Sequence, residues 1–129
     1  MASSLFQLGN FTLHSGSKSY YRINCDVLTD DDWSALARMV YERVDRFREV
    51  VGIPQGGLKL AEALKPYCAP ILRYPILIVD DVLTTGNSMK ELRKEIGTVC
   101  IGAVVFARGK CPSWITPVCI VASSKEEKK

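Results

Sequence analysis

Apolar runs and helix-like stretches alternate along the chain, and the alternation predicts strands separated by helices. Four segments are rich in β-branched and other apolar residues, as expected of buried strands: 49–53, 76–79, 99–107 and 114–121. Helical spacing of apolar residues follows Thr29 and recurs at 58–64 and 89–96. This order is typical of a parallel sheet whose strands are joined by right-handed crossovers.

Local signals predict where the helices begin and end. Thr29 is a suitable N-cap for the first helix, and the three aspartates that follow it suit the helix dipole. Pro66 ends the second helix, and Gly97 is a suitable C-cap for the third. Segment 69–73 fits either a short strand or a loop. We expect the apolar stripe of the first helix to pack in the core; it comprises Trp33, Leu36, Ala37, Val40, Val44 and Phe47.

The predicted fold is therefore an α/β sandwich, with four to five parallel strands and helices on both faces. A chain of 129 residues suggests one domain, which we place at 1–122. Residues 1–28 are turn-rich with some strand character, and we expect them to form an arm over the ligand edge of the sheet. The polar segment 123–129 is expected to be a disordered tail.

Composition narrows the classes of partner. The net charge of +3 and the lack of a basic run give no reason to expect nucleic-acid binding. No segment approaches the length of a membrane span. The five cysteines include no C-x-x-C pair, which argues against a disulfide framework or a zinc site and favours a reducing, cytoplasmic location.

The strand at 76–79 leads directly into a possible ligand site. Asp80 and Asp81 follow it, and then come a short polar loop and the start of a helix. Backbone N–H groups and hydroxyls at a helix N-terminus bind anions, while two adjacent carboxylates can accept hydrogen bonds from sugar hydroxyls. The pattern therefore suits a phosphorylated sugar, although acids that merely cap the next helix remain an alternative. The loop residues are Thr84, Thr85, Gly86, Asn87 and Ser88.

This strand, acid pair and loop together resemble the 5-phosphoribosyl 1-pyrophosphate (PRPP) signature of the type I phosphoribosyltransferases. The resemblance implies that the loop holds the 5-phosphate of PRPP. It also implies that Asp80 and Asp81 are the catalytic pair, which contacts the ribose 2- and 3-hydroxyls directly or through Mg²⁺. The reaction would be displacement of pyrophosphate at the ribose anomeric carbon by a ring nitrogen.

A second turn between strand and helix lies upstream. Its residues Pro54, Gln55, Gly56 and Gly57 match the pyrophosphate-binding loop of the same family. The resemblance implies a non-proline cis peptide bond between positions 54 and 56. Without the resemblance, the glycines need only serve the turn itself.

Segment 11–21 resembles the N-terminal segment of orotate phosphoribosyltransferases, which covers the base. By that resemblance Lys18 lies over the base and its carboxylate, and Arg108 contacts orotate from a strand end. Tyr20 and Tyr21 either stack on the base or pack on the core. The lone histidine, His14, is expected at the surface.

Trp114 follows Pro112 and Ser113, and it invites comparison with the base-stacking aromatic of purine phosphoribosyltransferases. Core packing is the better interpretation for this side chain.

The resemblance is incomplete in one region. Segment 58–74 has no counterpart of the lysine-rich mobile loop that closes over the site in the family. Three hypotheses therefore stand: a transferase for orotate or a related pyrimidine, a non-catalytic module that binds PRPP or a nucleotide, and a transferase for a purine base. The resemblance also makes a homodimer plausible.

Overall fold

The computed structural model describes residues 4–13, 16 and 18–121, which form a β-hairpin followed by an α/β unit. The hairpin pairs β1 (Phe6–Thr12) with β2 (Lys18–Ile23). The parallel sheet has the order β3 (Glu49–Gly52), β4 (Ile76–Leu83), β5 (Cys100–Arg108), β6 (Ile115–Val121). The helices are α1 (Asp30–Arg43), α2 (Leu58–Leu64) and α3 (Asn87–Ile96). His14 and the predicted tail at 123–129 lie outside the described residues.

Helices cover both faces of the sheet, as predicted. Leu77 and Val79 of β4 belong to the apolar core that also contains side chains of α1 and α2. Ile76 and Ile78 alternate with them and belong to the second core, which includes Met89 of α3. Side chains of successive strand residues point to opposite faces, so one continuous apolar run supplies both cores. The α/β architecture and the number of parallel strands agree with the sequence prediction.

Helix α1 begins where the sequence predicts and ends earlier. Thr29 Oγ1 accepts a hydrogen bond from the Asp32 N–H (3.1 Å), and the Thr29 N–H donates to Asp32 Oδ2 (2.9 Å), which completes a capping box. The helix ends at Arg43 with Val44 as its C-cap. Phe47 is fully buried although it lies beyond the helix. No helix in the described part of the chain is long and apolar enough to cross a membrane.

The connection between α2 and β4 is short and lies at the amino edge of the sheet. Arg48 Nη1 donates to the carbonyl oxygens of Leu72 (3.0 Å) and Tyr74 (2.9 Å), and the Arg48 N–H donates to Pro75 O (3.0 Å). Segment 69–73, which the sequence left open as a strand or a loop, is a loop that ends in a turn. Because Arg48 directly precedes β3, these bonds hold the connection at the end of the sheet opposite the polar loops.

The hairpin packs over the carboxyl end of β5, as expected of the N-terminal arm. The ring centroids of Phe6 and Phe106 are 5.9 Å apart in an edge-to-face arrangement. Leu5 and Ile23 pack against the α1–α2 core. These contacts hold one face of the hairpin against the sheet.

Candidate active site

Two adjacent carboxylates form the centre of the candidate site. Strand β4 continues to Leu83, so Asp80 and Asp81 lie within the strand and not in the loop after it. Asp80 Oδ1 accepts from the Asp81 N–H (2.8 Å), and Asp81 Oδ1 accepts from the Val82 N–H (2.6 Å). Both side chains are half-buried. These hydrogen bonds restrain both carboxylates against the backbone of β4, near its carboxyl end.

Ion pairs in the described part of the chain do not include the two acids. Burial, and then the nearby negative charge of Asp81, raise the pKa of Asp80 to about 7. No lysine or arginine of the described residues forms an ion pair with either carboxylate. The pair is therefore suited to groups that bring positive charge or hydroxyl hydrogens.

We expect the Asp80→Asn variant to be more stable than the wild type at pH 8 in EDTA. The folded protein holds the Asp80 proton more tightly than the unfolded chain does, so the free energy of unfolding of the wild type falls as pH rises from about 4 to about 7. Asn has no proton to lose, and it should gain about 1–3 kcal/mol above pH 7 and almost nothing at pH 4. Urea unfolding at the two pH values measures this difference. An equal effect at both would contradict the electrostatic cause.

The pyrophosphate-type loop contacts the acid pair directly. A Cβ atom added to Gly56 would lie 2.4 Å from Asp81 Oδ1, so the glycine backbone lies against this carboxylate. The Ile53 N–H donates to Val79 O (2.9 Å), and the Gly57 N–H donates to Ile53 O (2.7 Å). These bonds tie the loop to β4 next to the acids.

The peptide bond between Pro54 and Gln55 is cis, which confirms the expectation of a non-proline cis bond in this loop. Pro54 and Gln55 are exposed, Gly56 is half-buried and Gly57 is buried. The exposed part of the loop therefore lies at the same strand ends as the acid pair.

The phosphate-type loop joins β4 to α3. Gly86 is the N-cap of α3 with φ +81°, a left-handed conformation that favours glycine. Thr85 Oγ1 accepts from the Asn87 N–H (3.3 Å). Thr84 and Ser88 are exposed, as are Thr85 and Asn87. Exposed hydroxyl and amide groups thus surround a helix N-terminus, which favours an anion.

The arm brings two of the four predicted base-binding residues together. The Arg108 guanidinium lies 3.9 Å from the centroid of the Tyr21 ring, and Arg108 Nη2 donates to Ser19 Oγ (2.5 Å). Lys18 and Tyr20 alternate with Ser19 and Tyr21 along β2, so they lie on the other face of the hairpin, where both are exposed. Strand β5 places Arg108 one residue beyond Ala107, which pairs with Leu83 of β4.

Sequence reasoning missed two residues near the site. The Cys25 thiol is buried beside Asp81; burial, and then the charge and hydrogen bonding of Asp81, raise its pKa to about 12, so Cys25 stays a neutral thiol. Ser19 is the other, and it joins Arg108 to the hairpin. Cys25 carries no local signal, because its contact is with a residue far away in the sequence. Ser19 lies in segment 11–21, whose resemblance indicated an arm over the base but not the hydrogen bond to Arg108.

Trp114 lies away from the candidate site. It directly precedes β6 at the amino edge of the sheet, and it packs against the α3-side core. Arg93 of α3 covers its ring at 4.5 Å. Core packing is therefore the correct interpretation of this side chain.

The site residues fit Mg²⁺ as part of a complex with a substrate. Asp80 and Asp81 supply carboxylate oxygens, which are suitable ligands. The described residues contain no cluster of three or more potential ligand side chains, so the two acids would need oxygen atoms from a phosphorylated substrate and water. Mg²⁺ characteristically binds in this way, through one or two carboxylates together with phosphate oxygens.

Comparison with solved structures identifies the fold. The chain superposes on orotate phosphoribosyltransferase from Aeropyrum pernix with a TM-score of 0.71 and 23% sequence identity, covering 90% of this chain and 88% of that one. The enzyme from Mycobacterium tuberculosis gives a TM-score of 0.64 at 19% identity, covering 90% and 89%. Leishmania donovani UMP synthase gives 0.72 at 21% identity, covering 91% of this chain and 34% of that one.

No protein-family model matches the chain, and no curated protein sequence matches it. The likeness to these solved structures therefore lies in the three-dimensional arrangement of the chain. The chain has the fold of the type I phosphoribosyltransferases, as the sequence around its acid pair predicts.

Proposed function

We propose that the protein is a phosphoribosyltransferase that transfers the 5-phosphoribosyl group between PRPP and a nucleobase. The observation that carries this proposal is the contact between the Gly56 backbone and the Asp81 carboxylate. It places a loop suited to pyrophosphate beside an acid pair suited to ribose hydroxyls. The phosphate-type loop continues from the same strand, so one strand end offers a place for each part of PRPP.

In the proposed reaction, the bond between the anomeric carbon and pyrophosphate breaks and its electron pair leaves with pyrophosphate. A ring nitrogen of the base forms the new bond and gives up its proton. Thr84 to Ser88 hold the 5-phosphate, Gln55 to Gly57 face the pyrophosphate, and Asp80 and Asp81 accept hydrogen bonds from the ribose hydroxyls. Bound Mg²⁺ would neutralise the charge of the leaving pyrophosphate. Catalysis then consists mainly of orientation and charge stabilisation.

Orotate or a related pyrimidine is the base that we propose. The support is Arg108: its Nη2 binds the hairpin, while Nε and Nη1 have no hydrogen-bond partner among the described residues. No acidic side chain in that part of the chain forms an ion pair with it. A half-buried guanidinium whose Nε and Nη1 are unpaired within the described ranges suits the carboxylate of orotate, which uracil and the purine bases lack.

Pyrophosphate release from PRPP with Mg²⁺ tests the proposal across orotate, uracil, hypoxanthine, guanine, adenine and no base. Release that depends on orotate supports both the activity and the base. Release that depends on a purine would support the transferase activity and contradict the proposal that the base is orotate. Failure of every base to stimulate release would contradict the enzymatic proposal.

A ligand-binding module without transferase activity is the second candidate. The observation that favours it is the short connection between α2 and β4, which Arg48 holds at the amino edge of the sheet. In this position the connection does not cover Asp80 and Asp81. PRPP binding measured by calorimetry, without base-dependent release, would support this candidate.

Replacement of Arg108 by Ala is expected to weaken orotate binding about 10- to 100-fold, because a charge-assisted hydrogen bond contributes about 1.5–3 kcal/mol. Lys18→Ala is expected to change orotate affinity little, since Lys18 is exposed on the opposite face of the hairpin from Tyr21. Titration of orotate into each variant bound to a PRPP analogue measures the two affinities. Lys110→Ala, which removes another exposed basic side chain, is the control. Unchanged orotate affinity in Arg108→Ala would refute the base assignment.

A further inference from the structure

Ser19 differs from the other polar residues near the candidate site in its burial. It is 5% exposed, and it is the only polar or charged residue that is buried within the described ranges 4–13, 16 and 18–121. Its neighbours in β2, Lys18 and Tyr20, are exposed. A buried hydroxyl is costly unless it is hydrogen-bonded, so its partners indicate what it does.

Among the described residues, the Ser19 hydroxyl connects three groups. It donates to Tyr21 O (2.6 Å), accepts from the Tyr21 N–H (3.2 Å), and accepts from Arg108 Nη2 (2.5 Å). Arg108 Nη2 also lies 3.4 Å from Tyr21 O. One end of the guanidinium is therefore held between a hydroxyl and a carbonyl oxygen.

The Tyr21 ring restrains the same guanidinium from its face. The distance of 3.9 Å between the Arg108 guanidinium carbon and the ring centroid is that of a close cation–π contact. The ring face that Arg108 covers is not available for stacking on a base. In this arrangement Tyr21 contacts Arg108, and the Ser19 hydroxyl holds the backbone of Tyr21.

We propose that Ser19 is a positioning residue that holds the Arg108 guanidinium in the orientation in which it binds the carboxylate of the base. This inference rests on the proposed function, because it assumes that the base carries a carboxylate. Fixing the Nη2 end in advance leaves Nε and Nη1 for the ligand, so less side-chain freedom is lost when the ligand binds.

Orotate titration of Ser19→Ala, with uracil as the ligand that lacks the carboxylate, tests the effect on binding. We expect the affinity for orotate to fall about tenfold and the affinity for uracil to change less than threefold. Ser19→Cys fills the same space with a poor acceptor, so it should resemble Ser19→Ala. Ser113→Ala, which removes an exposed hydroxyl at the opposite edge of the sheet, is the matched control.

A double-mutant cycle separates positioning from a general structural effect. In the Arg108→Ala background, Ser19→Ala should cause no further loss of orotate affinity, because its effect acts through the missing guanidinium. The same tenfold loss in both backgrounds would overturn the inference. So would equal losses for orotate and uracil.

The NMR signal of the Arg108 Nε–H group, assigned by its loss in Arg108→Lys, tests the inference without a substrate. Ser19→Ala should shift and broaden this signal, whereas Ser113→Ala should leave it unchanged. An unaltered signal in Ser19→Ala would overturn the positioning role. If the signal responds while wild-type protein fails to bind orotate, the positioning of Arg108 is supported and the proposed base is wrong.

Discussion

Replacement of both Asp80 and Asp81 by Asn is expected to reduce turnover by about 10³-fold or more. The variant keeps the side-chain oxygen atoms that accept the Asp81 and Val82 N–H groups, so the backbone should be preserved. It removes the two charges that would orient the ribose hydroxyls and the metal complex in the transition state. Binding of a nucleoside 5-phosphate should change less than tenfold, since the phosphate-type loop is untouched.

The pyrophosphate-release assay measures the turnover of the double variant, and calorimetry measures its affinity for the nucleoside 5-phosphate. Asp45→Asn removes an exposed acid between α1 and β3, and it should behave as the wild type. Normal turnover in the double variant would show that the acid pair is not the catalytic pair.

Gly56→Ala is expected to reduce turnover, whereas Gly57→Ala is expected to reduce the stability of the fold. At Gly56 the new Cβ would lie 2.4 Å from Asp81 Oδ1, and a side chain can move away from such a contact. Gly56→Ala should therefore fold, displace Asp81 and lose at least 10²-fold in turnover. At Gly57 the Cβ would lie 2.3 Å from the carbonyl oxygen of Val79, which the sheet holds in place. Gly57→Ala should cost about 2–4 kcal/mol of stability.

Urea unfolding and pyrophosphate release, measured on both variants, distinguish these outcomes. The contrast depends only on what each added methyl group meets: the Asp81 carboxylate at one position and sheet backbone at the next. Similar stability losses in both variants would mean that the loop relaxes as a unit and that Gly56 has no specific relation to Asp81.

Features with local causes could be predicted from the sequence. The buried strand before Asp80 follows from its unbroken apolar run, and the start of α1 follows from the Thr29–Asp32 capping box. Helix α3 begins at Asn87, two residues before the predicted start, because Gly86 takes the cap position in a left-handed conformation that apolar spacing does not reveal. Phe47 shows where helical periodicity misleads. It is buried and keeps the helical spacing of the apolar stripe, although α1 ends at Arg43.

Features that join distant segments could not be predicted. Ser19 and Arg108 are 89 positions apart, and their hydrogen bond exists only because the hairpin folds onto the end of β5. The contact between Cys25 and Asp81 has the same origin. For the same reason, the sequence indicated Lys18 and Tyr20 as base-binding residues without indicating that strand alternation places them on the opposite face from Tyr21.

The hydrogen bonds between Arg48 and the connection from α2 to β4 have a consequence for the kinetics of the proposed reaction. In many enzymes a closing loop must reopen before product leaves, and that opening limits the turnover rate. Here Arg48 binds the connection at the far edge of the sheet through Leu72 and Tyr74, so in the proposed reaction it would not delay release of product from the carboxyl edge. We therefore expect a linear pre-steady-state time course of pyrophosphate formation without a burst, as for an enzyme whose slow step is the chemistry itself.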